Sequence, residues 1–152
     1  MRALVIIDLR QEPEQAVHAA VAWAEEQGVG RLDLAHVEAF VDRHDPLAEP
    51  RGALSPWEGR TLPYATELGR VLRRIPPLLR GQTHLLFGDL GSTLAPLAPA
   101  YDVILVGRRG VWDDVERAIP ALTARTLRPV ILLEPPAPHP HRSSGPPSVE
   151  MR

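Results

Sequence analysis

The stretch Val103 to Leu133, "VILVGRRGVWDDVERAIPALTARTLRPVILL", decides how the chain reads. It opens with a four-residue apolar run, Val103 to Val106, that breaks at Gly107-Arg108-Arg109-Gly110. A helical pattern spans Trp112 to Leu127, and a second apolar run follows at Val130 to Leu133. Short β-branched-rich runs with no polar alternation are the mark of strands buried on both faces, which occur in parallel sheets. Strand, glycine turn, helix, strand is therefore a βαβ unit.

The rest of the chain repeats the unit. Ala3 to Ile7 is a continuous apolar run that stops at Asp8. Pro13 suits a first helical turn, and Val17, Ala20, Val21 and Ala24 recur at helical spacing until Gly28. Leu32 to Val37 is the centre of a second strand. Residues 42–63 carry prolines, glycines and charges without a period and read as a long loop, of the kind often tied to function. A helix is expected from Leu62 to Arg74, with Tyr64, Leu68, Val71 and Leu72 inward, before Pro76-Pro77 ends it. "THLLFGD" forms a third strand ending at Gly88-Asp89, Leu94 to Leu97 a short helical turn, and the opening stretch supplies the last two strands. Right-handed crossovers then give an α/β domain, an open five-stranded parallel sheet with helices on both faces. The domain is expected over residues 1–134, followed by a proline-rich C-terminal tail over 135–152.

Composition removes several classes of function. The 152 residues are enough for one domain with a real core. A net charge of −2 with interspersed signs leaves no footprint for nucleic acid or an anionic membrane. No run is long and apolar enough to span a bilayer, and Met1 leads straight into a strand, so the expected location is cytoplasmic. The chain contains no cysteine and no lysine. Disulfides, thiolate metal sites and cysteine nucleophiles are thereby excluded, as are a Walker lysine and the lysine of a phosphoacceptor receiver domain. His139-Pro140-His141 lacks a third metal ligand, and no Gly-x-Ser-x-Gly elbow is present. His36 reads as a satisfied, partly buried histidine rather than a base.

Four motifs give the chain a resemblance to the universal stress protein family: "LVIIDL" with Asp8 at a strand end, "LAHVEAF" around His36-Val37, "FGD" at Phe87 to Asp89, and "YDVILVGRRG" at Tyr101 to Gly110. "RPVILLEP" matches the family's closing strand. The resemblance covers residues 1–134 and implies the adenine nucleotide alpha hydrolase-like fold with strand order 3-2-1-4-5. It also implies a ligand crevice where that order reverses, outside the carboxyl ends of the first and fourth strands. By resemblance, Asp8 lies near ribose or base, Val37 near adenine, and Gly107 and Gly110 let the backbone approach ribose and phosphates. Arg109, with its neighbour Arg108, brings positive charge to the same turn.

The ATP-binding members share a longer signature, Gly-x-x-Gly, nine residues, then Gly with Ser or Thr. Here the second half is Pro120-Ala121, and no glycine lies between Gly110 and Gly145. Asp113, Asp114 and Glu116 stand at the helix entrance, where they favour the helix and repel a triphosphate. Leu9 and Arg10 replace the small residues that usually follow the aspartate. The expectation is a regulatory domain, not an enzyme, with tight ATP binding lost or weakened, requiring no cofactor and acting through protein contacts. It is expected to form a homodimer through the fifth strand, Val130 to Leu133, whose apolar edge pairing would cover. The alternative is an ATP- or AMP-binding stress protein using Asp8, Val37 and the Gly107-Gly110 turn. A nucleotide hydrolase comes third, because no general base is placed by the sequence.

Overall fold

The computed structural model describes residues 1–38, 61–107 and 115–134. Elements alternate along the chain: β1 (Arg2–Ile7), α1 (Pro13–Gln27), β2 (Arg31–Glu38), α2 (Thr61–Leu72), β3 (Arg80–Phe87), α3 (Leu90–Leu94), a 3₁₀ turn (Ala98–Ala100), β4 (Val103–Gly107), α4 (Val115–Thr126) and β5 (Val130–Leu133). The five strands form one sheet in the order β3-β2-β1-β4-β5, with every pair parallel. The fold class and strand order expected from sequence are both observed.

The continuous apolar runs are explained by burial on two faces. Ala3, Val5 and Ile7 pack with Leu32, Leu34 and Leu105 under α1 and α2, while Leu4 and Ile6 pack with Ala35, Val37, Ile104 and Val106 under α3 and α4. Alternating side chains of one strand thus serve two cores. Helix α1 contributes Val17, Ala20 and Ala24, at the spacing the sequence shows, and stops at Gly28, whose φ of 73° is the left-handed conformation that closes helices.

Several boundaries differ from the sequence reading. The described part of helix α2 runs from Thr61, so the last three residues of the expected loop are helical. Strand β3 starts at Arg80, three residues before "THLLFGD". The expected turn at Leu94 to Leu97 is replaced by α3 and the 3₁₀ turn on either side of it. The cause is Asp89, whose carboxylate accepts the Ser92 N–H at 2.8 Å and starts the helix early. The described part of α4 ends at Thr126, with Leu127 left-handed at φ 57°. The rest of the long loop, residues 42–60, lies outside the described residues, as do Trp112 to Asp114 and the expected tail.

A buried polar cluster sits in the first half of β2 and β3. Between Leu32 and Leu34 the β2 to β3 register slips, leaving Asp33 opposite two residues of β3. The slip gives Asp33 the Gln82 N–H, received by Oδ1 at 2.8 Å. The same oxygen accepts from Arg31 Nε at 3.0 Å, and Oδ2 accepts the Tyr101 hydroxyl at 2.5 Å. His84 Nε2 lies 3.1 Å from that hydroxyl. Burial opposes the Asp33 charge most strongly, yet these donors together hold its pKa below the ordinary carboxylate value. Burial and the adjacent Asp33 raise the Tyr101 phenol well above its usual range.

Candidate functional site

Strand β1 lies between β2 and β4, and the chain leaves the sheet in opposite directions from these neighbours. In open α/β sheets this reversal opens a crevice at the carboxyl ends of the two central strands. Ile6 pairs with Val106 across it, so Asp8, just after β1, and Gly107, the last residue of β4, border the same place. Both are buried, Asp8 at 2% exposure.

Asp8 is held in a defined pose. Its main-chain carbonyl accepts the Gln11 N–H at 3.0 Å, which turns the chain away from the sheet. Side-chain Oδ1 accepts twice from Arg10, the backbone N–H at 3.0 Å and Nε at 3.2 Å. Oδ2 is buried and has no hydrogen-bond partner among the described residues. Arg10 reaches further, placing Nη1 3.7 Å from Glu38 Oε2 at the end of β2. Burial works against the Arg10 charge, and Asp8 and Glu38 outweigh it, so its pKa is raised above the ordinary value.

His36 completes the cluster from β2. It is fully buried, and α2 lays the Tyr64 ring against it at 4.7 Å between centroids. Nδ1 accepts the Leu9 N–H at 3.2 Å, so the ring proton belongs on Nε2, which donates to Glu38 Oε1 at 3.0 Å. Both ring nitrogens are therefore engaged. Asp8, Arg10, Glu38 and His36 form a chain of contacts around the crevice, linking the turn after β1 to the end of β2.

Of the residues singled out in the sequence, the structure brings together Asp8 and Gly107. Val37 is 1% exposed and its side chain packs in the core with Ala35 and Leu94, on the sheet face opposite His36. Arg109 and Gly110 lie outside the described residues. Pro120-Ala121, where the signature would have Gly-Ser, falls inside α4 rather than at its start. A helix interior has no free N–H groups to offer a phosphate. The Arg10 to Glu38 link and the His36–Glu38 pair escaped the sequence reading. The pair had a signal, since residues two apart on a strand share a face; the Arg10 reach had none.

No family model matches the chain, and no curated protein matches it in sequence. Solved structures do match. A universal stress protein in complex with cAMP superposes with a TM-score of 0.55 over 88% of this chain and 96% of its own, at 18% identity. This is the universal stress protein fold. A second example, a universal stress protein family member from Burkholderia pseudomallei, gives a TM-score of 0.52 over 87% of this chain and 94% of its own, at 19% identity. A hypothetical protein gives 0.61 over 91% and 98%, at 17% identity. The universal stress protein fold thus spans nearly the whole length of each chain compared. No described helix is long and apolar enough to cross a membrane.

Proposed function

We propose that this chain is a universal stress protein-like regulatory domain whose crevice keeps a ribose-side contact and has lost the tight phosphate grip. The observation that carries this reading is Oδ2 of Asp8 beside Gly107, which is buried and has no hydrogen-bond partner among the described residues. A buried carboxylate oxygen without a donor costs about 1–3 kcal/mol or more, and a ligand hydroxyl donating to it removes that cost. The complex of a neighbour with cAMP supports an adenylate as the ligand.

The phosphate side argues for weak ATP binding. Pro120 and Ala121 stand within α4, and Asp113, Asp114 and Glu116 precede or open that helix in sequence. Loss of two or three phosphate hydrogen bonds, at about 1.5–3 kcal/mol each, weakens binding by several orders of magnitude. A singly charged or doubly charged adenylate, cyclic or AMP, loses less than ATP. Binding rather than turnover is the activity, and the engagement of both His36 nitrogens supports this, because the ring has no free position to act as a base.

Dimerisation belongs to the same reading. Strand β5 is the last strand of the sheet, its residues Val130 to Leu132 are half-buried, and an open groove of about 470 Å³ lies between it and α1. Pairing with a second copy covers this edge.

Calorimetric titration of ATP, AMP and cAMP, with and without magnesium, tests the ligand reading. Saturation by AMP or cAMP at concentrations where ATP shows none is expected. Low-micromolar ATP binding that Gly107→Val abolishes overturns it.

A further inference from the structure

Arg10 changes what Asp8 can recognise. A ribose cis-diol presents two hydroxyl donors, and a free carboxylate can accept one on each oxygen. Here Oδ1 already takes two hydrogen bonds from Arg10, its backbone N–H at 3.0 Å and Nε at 3.2 Å, while Oδ2 is buried with no partner among the described residues. The guanidinium is itself anchored on the far side, with Nη1 3.7 Å from Glu38 Oε2. Glu38 in turn is fixed by His36 Nε2 at 3.0 Å, and His36 by the Leu9 N–H at 3.2 Å. The two residues that follow Asp8 thus both participate in a closed circuit: Leu9 through its N–H and Arg10 through backbone and side chain. Asp8 cannot rotate to present both oxygens without breaking it.

We propose that Arg10 is a specificity-determining residue that makes Asp8 a single-acceptor site, so that the crevice reads one ribose hydroxyl and not the diol. The proposal rests on the adenylate reading above and deepens it. Its consequence is a ligand class: nucleotides with one ribose hydroxyl blocked, as in a 3′,5′-cyclic phosphate or a 3′-phosphate, are accepted on the same terms as those with a free diol. A site that counts both hydroxyls discriminates against them. Arg10 also sets its guanidinium between two buried carboxylates, with Nε 3.2 Å from Asp8 Oδ1 and Nη1 3.7 Å from Glu38 Oε2.

The test compares AMP, 2′-deoxy-AMP and 3′-deoxy-AMP by calorimetry or ligand-observed NMR, on the full chain. For the wild type, one deoxy analogue is expected to bind within about twofold of AMP and the other about tenfold or more weaker, the loss of one hydrogen bond to a charged acceptor. In Arg10→Met, Oδ1 keeps only the backbone N–H, and both deoxy analogues are expected to weaken relative to AMP. The wild-type comparison stands by itself if this variant folds poorly. Equal weakening of both analogues in the wild type, or no difference between all three, overturns the single-acceptor inference while leaving adenylate binding in place. No binding of AMP at millimolar concentration overturns the adenylate reading and the inference with it.

Discussion

Asp33 shows how one residue can hold charge inside a core. Its side chain has no exposure, and the donors from Gln82, Arg31 and Tyr101 replace its hydration. Removing the Tyr101 donor by Tyr101→Phe is expected to cost about 1–3 kcal/mol in chemical denaturation. Because the folded pKa of Asp33 lies below its unfolded value, its contribution is complete above roughly pH 4 and is lost as pH falls through the folded pKa. Tyr101 is shifted the other way, so its contribution is complete below roughly pH 10 and is lost as pH rises toward the folded value. Asp33→Asn should therefore flatten the acid limb of a stability profile and Tyr101→Phe the alkaline limb. Gly81 enforces the arrangement, since a Cβ there would fall on Asp33 Oδ1 and lie 2.8 Å from the Leu32 carbonyl. Gly81→Ala is expected to destabilise by more than about 2 kcal/mol, through strain and the displaced carboxylate. A variant as stable as wild type would mean that the β2 to β3 slip is soft.

At the scale of elements, termini carry most of the local control. Asp89 starts α3 by accepting the Ser92 N–H, and Asp89→Ala is expected to cost about 0.5–2 kcal/mol. Leu127 closes α4 in the left-handed region with its side chain 77% exposed, so it bears the backbone cost of that conformation with little packing in return. Leu127→Gly is expected to raise stability by about 0.5–1 kcal/mol, read as a shift in melting temperature. A fall would show that the leucine packs against something that compensates. These features explain the boundary errors of the sequence reading. Apolar periodicity locates the middle of a helix well, but a cap such as Asp89, or a strand bulge such as that beside Gly81, is one side chain meeting one backbone group. Pattern does not encode such a meeting.

For the whole molecule, the sheet has one covered centre and two edges of different character. Strands β1, β2 and β4 are buried nearly throughout, whereas β3 and β5 are largely half-buried. Beside β5, the α1 residues Ala19, Ala22 and Trp23 line the groove with Ile131 and Leu133. If this edge pairs two copies, sedimentation velocity at micromolar concentration gives a dimer, and Ile131→Asp gives a folded monomer. A wild-type monomer, or a dimer unaffected by Ile131→Asp, removes the proposed interface.

The sequence by itself determined the order of elements and the class of fold. Runs such as Ala3 to Ile7 and Val103 to Val106 are apolar on both alternations, a pattern that is stable only between two layers of helices. With the motif resemblance they also fixed the strand order and put Asp8 and Gly107 at one crevice. What only the tertiary structure decided is which partners the polar residues take. Arg10 bridges Asp8 and Glu38 because parallel pairing sets the ends of β1 and β2 side by side, with Ile7 opposite His36. Asp33 meets Tyr101, far away in sequence, because both project into the space beneath the same sheet face. Apolar burial is non-directional and leaves a periodic trace along the chain, whereas a hydrogen bond between distant segments needs register and orientation, which exist only once the sheet is assembled.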